Sequence, residues 1–402
     1  MCKLIRWVLF FLAVCSCQAP LFDTAPRSGN PYSAHPPVRP GESTDSLSML
    51  PSLYATAVCY PDSVDWRAGE DGAAMLFLLR EGKEVLRVPV SGRASAYRHR
   101  IMKGQLWTDY CEKGQTVVCC NGEERFRFAG EEVLGGFWVQ DDRVYTLGQR
   151  AGGGGISFRI DGTECFSSQN GVLMNAADGG GWEGGAFSID TTGIYYAYGV
   201  PVRKQEAVAW EYRIMKEDRV EKILPPSADC RVYDIRVWNG MVYRFEDRGG
   251  VLCLVKGETY LNLSFLPGEV PHYCKLVPAG DRMLLKGYSY RPHFTYWLRD
   301  QDDLVCAVSG GHAVSELAMD GDDYGYLLEN DDGSVLGVYL GQEAVVLSKG
   351  RHVLTSSRCV QYRKQLFGAA LTAAQGQRHL LVRDRDTLAL RFNGYFTSLQ
   401  ID

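Results

Sequence analysis

The sequence predicts an all-β chain built from one repeated four-stranded unit. Alternating apolar runs flank short polar turns, most clearly in Ile156–Phe166, where Asp161-Gly162 separates two such runs. Period-two alternation marks strands, and Asp-Gly between alternating runs is a hairpin signal. The unit recurs: Gly82, Gly122 and Gly162 lie 40 residues apart, and Gly257 and Gly341 lie 84 apart, with looser copies around Glu217, Gln301 and Arg385. No convincing amphipathic helix interrupts the series. Ile214–Leu224 can be written as one, but its place in the repeat argues for a hairpin. A repeat of roughly 40–45 residues holding about four strands predicts a single β-propeller. Eight hairpin turns predict eight blades. Seven is the alternative if the first or the long fourth unit is miscounted.

The first 17 residues read as an export signal. Lys3 and Arg6 give a charged start, Trp7–Val14 is a short apolar run, and small residues follow at Ser16 and Cys17. Val14-Cys15-Ser16-Cys17 resembles the lipobox of bacterial lipoproteins, which makes Cys17 the expected lipidated residue. Cys15 is the second candidate, and an ordinary cleaved signal is the other reading. Several acyl chains on one cysteine anchor stably, at ~0.8 kcal/mol per buried CH₂. Residues 18–51 hold seven prolines, from Pro20 to Pro51, with interspersed Ser and Gly. Such a segment cannot bury a core and is expected to be an extended tether. Asp23-Thr24-Ala25 and Asp45-Ser46-Leu47 resemble O-glycosylation sites of Bacteroidetes. No acidic cluster follows Cys17, which favours a periplasm-facing anchor in the outer membrane over surface exposure. The propeller is expected to occupy residues 52–402.

Composition limits the function classes. The net charge is -5 and no basic block stands out, so nucleic acid is not an expected partner. No apolar run reaches the ~18–20 residues of a membrane span. Of thirteen cysteines, three fall in the signal and ten in the folded part. Their spacings show neither a disulfide framework nor a zinc site. Cys119, Cys253 and Cys306 sit in apolar strand context and read as small buried hydrophobes.

Within each unit, a second strand precedes the outer hairpin. Trp107, Tyr145, Tyr195, Tyr243, Leu284, Tyr326 and Phe367 mark these strands, each after turn-prone residues. A shorter strand lies upstream, as at Trp238 or Leu276. The first unit lacks that inner strand, and one strand is left over at the end, Tyr395–Gln400. Unpaired edges invite aggregation, so Tyr395–Gln400 is expected to complete the first blade. The fourth unit carries extra residues near Val202–Glu206 or Gly179–Gly185. Trp107, Trp138, Trp210, Trp238 and Trp297 are expected to fill the cores between blades.

No catalytic signature is visible. The glycine runs at Gly152–Gly155 and Gly179–Gly185 lack the strand–loop–helix context and Lys-Ser/Thr of a phosphate loop. Asp320, Asp322 and Asp323 lack the calcium-loop order, and hairpin tips attract Asp for turn geometry alone. The seven histidines are scattered, without a zincin motif or nucleophile elbow. No catalytic residue, metal or cofactor is therefore assigned. Geometry leaves one surface. The connections between strands two and three, and between successive units, gather at one end of a propeller. There this chain carries Arg150, Trp182, Arg203, Arg248, Tyr288, Tyr290, Arg291 and His293. Aromatic plus Arg is the composition of binding hot spots.

Asn239–Tyr243 through Gly250–Leu254 resembles one PQQ-type propeller repeat, in which a G-x-V-Y strand leads to a G-x-L strand. The regular docking tryptophans of that family are absent, so no quinone cofactor is implied. The layout of lipobox, tether and about eight blades is similar to the scaffold lipoprotein of the outer-membrane β-barrel assembly machinery, and to propeller lipoproteins of Bacteroidetes. The export signal, the tether, the repeats and the absence of a catalytic signature together lead to the expectation of a non-enzymatic binding or scaffolding module that engages an envelope protein or a glycan. The rival expectations are a carbohydrate-active lyase or glycosidase, and a glycan-binding lectin.

Overall fold

The computed structural model describes residues 52–401, apart from 69–72, 91–96, 154, 175–185, 205–206, 228–229, 266–270, 280–281, 290–294, 302, 310–312, 321–322, 330–334, 340–342, 349–351, 363–365, 374–377 and 385. Among the described residues the chain is nearly all strand, with single 3-10 turns at Trp66–Ala68 and Ala151–Gly153. No helix among them is long and apolar enough to cross a membrane.

The described strands form eight antiparallel sheets in succession, the repeated architecture of a β-propeller. The second sheet pairs Arg98–Met102, Gln105–Glu112, Gln115–Cys120 and Glu123–Ala129 in chain order, and the third pairs Glu132–Gln140, Arg143–Arg150, Ile156–Ile160 and Thr163–Ser168. The fifth is Cys230–Trp238, Met241–Arg248, Val251–Lys256 and Thr259–Asn262, and the sixth is Pro271–Ala279, Arg282–Ser289, Thr295–Asp300 and Asp303–Ser309. The seventh runs from Ala313–Asp320 to Glu343–Ser348 and the eighth from His352–Tyr362 to Asp386–Arg391. The Ile214–Leu224 stretch is a hairpin, with Ala207–Lys216 pairing Arg219–Ser227.

The fourth sheet departs from the pattern. Its innermost position is shared by two short strands, Val172–Leu173 and Ser188–Asp190, which both pair with Gly193–Lys204. Its second and third strands are lengthened to 12 and 10 residues, so the hairpin they form projects beyond its neighbours. The extra length at residues 202–204 is therefore extended strand rather than loop, and residues 205–206 lie outside the described residues. The Gly179–Gly185 stretch lies outside the described residues.

The first sheet is completed from the far end of the chain. Leu53–Cys59, Ala74–Arg80 and Lys83–Val90 form three strands, and Gly394–Ile401 pairs with Leu53–Cys59 from Leu53↔Ile401 to Cys59↔Gly394. Thr56 Oγ1 meets Thr397 Oγ1 at 2.7 Å and also contacts Ser398 Oγ, so the buried hydroxyls of both strands satisfy one another. Phe396 is fully buried and packs with Leu53, Ala55, Ala370 and Leu381, which ties the first sheet to the eighth. His379 of the eighth sheet stacks on Phe392 at 3.9 Å and bonds the Phe392 carbonyl at 2.9 Å.

One device repeats at the outer turns. Asp161 and Gly162 have φ of 50° and 79°, the double left-handed geometry of a two-residue hairpin, which disfavours a Cβ at Gly162. The Asp161 N–H donates to the Val144 carbonyl at 2.8 Å, and its carboxylate accepts the Val144 N–H at 2.8 Å. Asn121 does the same to Leu106, and Glu81 to Leu53. A short carboxylate or amide before the glycine therefore stitches the outer hairpin to the start of the second strand. Outer strands are blunted by charge, as with Lys83, Glu84 and Arg87 or Glu123, Glu124, Arg125 and Arg127.

The cores lie between sheets. Trp107 and Val118 pack against Phe137 and Val144, and Phe158 packs against Phe187 and Tyr196. Phe245 and Leu254 meet Leu276 and Trp297. Trp138 and Trp238 are half-buried in these same layers. Trp210 is not: it is 36% exposed, because the lengthened hairpin carries it past the packed layer. Among the described residues the cysteines are unpaired, and Cys119 and Cys253 are buried; the Cys306 side chain lies outside the description.

Truncating Phe396 to Ala opens a cavity where the chain ends meet and is expected to destabilise the protein by about 3–5 kcal/mol in urea unfolding. A loss below ~1 kcal/mol would mean that the terminal strand frays independently of the first sheet.

Candidate functional site

Each sheet has one end at which its first strand starts and its second strand stops, called here the opening end. Arg150 and Arg248 are the last residues of second strands, and Arg203 and Tyr288 lie within the last turns of theirs. The structure thus sets these four candidates on strand ends rather than in free loops. Trp182, Tyr290, Arg291 and His293 lie outside the described residues, as does Cys17.

The four differ in what holds them. The Arg150 guanidinium lies 3.7 Å from Glu132 and 3.4 Å from Glu164. Its neighbour Gln149 is a clamp: it donates to the Gly155 and Gly171 carbonyls at 2.9 and 3.2 Å and accepts the Leu173 N–H at 2.7 Å. Arg248 bonds Glu246 at 2.5 Å and the Tyr260 hydroxyl at 2.8 Å, with its guanidinium over the Tyr260 ring at 4.3 Å. Arg203 is exposed on the lengthened hairpin of the fourth sheet, opposite Val208. Tyr288 is half-buried.

Beneath this end the described carboxylates with almost no exposure are all held by arginine. Glu132 is fully buried and accepts from Ser157 Oγ at 2.7 Å and from both terminal nitrogens of Arg159 at 2.7 and 3.0 Å. Gly148 makes room for it, since a Cβ there would stand 2.0 Å from the Glu132 carboxylate. Arg159 in turn lies over the Phe128 ring of the second sheet at 4.0 Å. Asp109 is held by Arg98 at 3.1 Å and Arg100 at 2.8 Å. Burial pushes its carboxyl up, against the pull of both guanidiniums. Asp234 lies 3.6 Å from Arg236 and accepts the Leu276 N–H of the sixth sheet at 2.8 Å, while Arg236 donates to the Phe187 carbonyl before the fourth sheet. Glu246 has Arg248 on one side and Arg244 at 3.7 Å on the other. Three of these pairs lie within one sheet, and Asp234 and Arg236 also reach the neighbouring sheets through the Leu276 N–H and the Phe187 carbonyl, a positioning job. Ser157 faces a carboxylate already forked by arginine and sealed from water, so it has neither a free base nor access for substrate. Among the described residues no group of three or more His, Cys, Asp or Glu could hold a metal ion.

The sequence could not mark Glu132 or Asp109 as buried, because their arginine partners lie on other strands. The one local signal is an arginine two residues away, in Asp234-Ile235-Arg236 and Arg244-Phe245-Glu246-Asp247-Arg248, a spacing that puts both on one face of a strand.

No protein-family profile matches the chain, and no curated protein matches it in sequence. Among solved structures, one described as a eukaryotic initiation factor is 11% identical, covering 82% of this chain and 85% of its own at a TM-score of 0.46. Sqt1 of Saccharomyces cerevisiae is 12% identical over 80% and 90%, with a TM-score of 0.42. BamB of Moraxella catarrhalis is 9% identical over 74% and 88%, with a TM-score of 0.38. Likeness of this degree bears on neither activity nor partner.

Two outcomes follow from the site. Glu132→Gln leaves the buried Arg159 with only the half-exposed Glu164, at 3.0 Å, as countercharge and is expected to cost about 2–4 kcal/mol in urea unfolding, whereas the joint replacement Glu132→Leu with Arg159→Met recovers most of it. A single-variant loss as small as an exposed pair's would show the cluster to be solvated. Burial also pushes the Cys59 thiol up to about 12. Since the thiolate is the nucleophile, iodoacetamide at pH 8 should modify native Cys59 more than ~100-fold more slowly than exposed Cys111 and Cys165, as read by peptide mass spectrometry.

Proposed function

We propose that this chain is a lipid-anchored scaffold of a bacterial cell envelope: an eight-bladed propeller, closed into a ring by Gly394–Ile401, that binds a protein partner at its opening end. In this reading residues 1–17 are the export signal, Cys17 carries the lipid, and residues 18–51 hold the propeller off a periplasm-facing outer-membrane surface. The strand pairing Leu53↔Ile401 to Cys59↔Gly394 supports ring closure, because it gives the first sheet its fourth strand and abuts it on the eighth.

The observation that carries the non-enzymatic reading is the pairing of every described, fully buried carboxylate with arginine. General acid–base hydrolysis of a glycosidic bond requires two carboxyl groups open to one pocket. Asp109, Glu132, Asp234 and Glu246 are instead neutralised inside their own sheets by Arg100, Arg159, Arg236 and Arg248. Outward at the opening end stand Arg150, Arg203, Arg248 and Tyr260, a composition that suits recognition, beside the half-exposed Glu112 and the exposed Glu131.

The test is a crosslinking pull-down from native membranes beside a polysaccharide panel. The expected result is one protein partner and no retained or cleaved sugar, with Cys17→Ala moving the protein from the membrane to the soluble fraction. Turnover of any polysaccharide would overturn the scaffold in favour of an enzyme, and a Cys17→Ala protein that stays on the membrane would overturn the anchor.

A further inference from the structure

The interface between the fourth and fifth sheets is packed at one end and open at the other. Tyr212, Ile214 and Leu224 of the fourth sheet meet Val232, Ile235 and Val237 of the fifth in a buried layer. At the end away from the opening, Lys222 bridges to Glu258 at 2.7 Å and closes the seam. Towards the opening the lengthened hairpin continues past the layer. Directly paired residues share a face of a sheet, and the pairs Gly199↔Tyr212, Pro201↔Trp210 and Arg203↔Val208 extend the Tyr212 face outward. On the fifth sheet the pairs Val232↔Glu246 and Cys230↔Arg248 extend the opposing face. Two walls therefore diverge from Tyr212.

Both walls are preorganised. Trp210 lies flat over Gly199, where a Cβ would stand 2.9 Å from the indole; any side chain there would lift the ring. Arg248 is fixed by Glu246 and stacked on Tyr260. The walls are also exposed and largely apolar, with Val208 at 58%, Val251 at 45% and Tyr260 at 44%. Among the described residues their charge has one sign. Arg203 is exposed and has no ion pair there; Arg248 has a side chain 45% exposed and bonds through Nε and one terminal nitrogen; the described acid between the walls, Glu246, is buried under Arg248 and Arg244.

We infer that this cleft, lined by Arg203, Val208, Trp210, Arg248, Val251 and Tyr260, binds an extended acidic peptide segment that carries a bulky apolar side chain between carboxylates. The apolar residue enters over Trp210, and the flanking carboxylates meet Arg203 and the outward edge of Arg248. A sugar fits less well, since pyranose hydroxyls need directed amide or carboxylate partners and these walls offer valines. The inference rests on the scaffold reading above and deepens it, by naming the place and the chemistry of the partner.

The probe is a short fluorescein-labelled peptide with one phenylalanine flanked on each side by two glutamates, titrated with the intact chain and read by fluorescence polarisation. The expected result is saturable binding, weakened at least about tenfold by Trp210→Ala and by Arg203→Glu, whose exposed positions leave the thermal melt unchanged. Replacing the glutamates by glutamines or raising salt from 50 to 500 mM should each weaken it about fivefold or more. Absence of saturable binding, or equal binding by both variants, overturns the inference, and so does displacement of the probe by a neutral oligosaccharide. If the native-membrane pull-down still recovers its partner undiminished with Trp210→Ala/Arg203→Glu, the cleft assignment fails while the scaffold stands. If no partner is recovered even though the probe binds as expected, the scaffold fails and the cleft stands.

Discussion

The pairing of the two ends of the folded body is the constraint on which the other sheets depend. Without Gly394–Ile401, the first sheet would expose the inner edge of Leu53–Cys59, a row of backbone donors and acceptors beside buried alanines. Such an edge is a template for aggregation. It would also leave Phe396, Leu399 and Ile401 without the cluster that they share with Ala370 and Leu381 of the eighth sheet. One strand therefore satisfies backbone, core and neighbour together. Because its partner lies more than 300 residues away, the pairing is of high contact order and costs loop-closure entropy to form.

Packing between the sheets is apolar, but its register is set by ions. A row of similar strands could slide past its neighbour by two residues and keep an apolar face. The Asp234 carboxylate on the Leu276 N–H of the sixth sheet, and Arg236 on the Phe187 carbonyl, oppose such slips, since a shifted sheet would strand a buried charge. These pairs are specificity devices more than sources of stability. The fourth sheet breaks the regularity, and its overlong hairpin is what turns a sealed seam into a cleft.

Legibility followed the range of the interactions. Hairpins at Gly82, Gly122, Gly162 and Gly257 are local, and their turn residues announce them. The outer stitches from Glu81, Asn121 and Asp161 are semi-local and follow once the repeat is seen. Trp210 was misplaced for a physical reason: a tryptophan in a strand is usually core, and only the distance of the hairpin past its neighbour exposes it. Arg150 and Arg248 were found by composition, but the Glu132 and Glu164 partners of Arg150 and the Tyr260 partner of Arg248 were not, since those sit on other strands. Arg203 was legible as a candidate and, among the described residues, is exposed without an ion pair.

Residue order by itself determined the strand type, the repeat length and the turns, because alternation and left-handed turn geometry act over a few residues. It also determined that an extra strand at the end had to find a partner, because backbone groups cannot be left unpaired. The tertiary structure decided which carboxylates became buried struts and which face of the lengthened hairpin met the neighbouring sheet. Those outcomes depend on burial and on partners tens of residues away, and no short-range pattern in the chain encodes either.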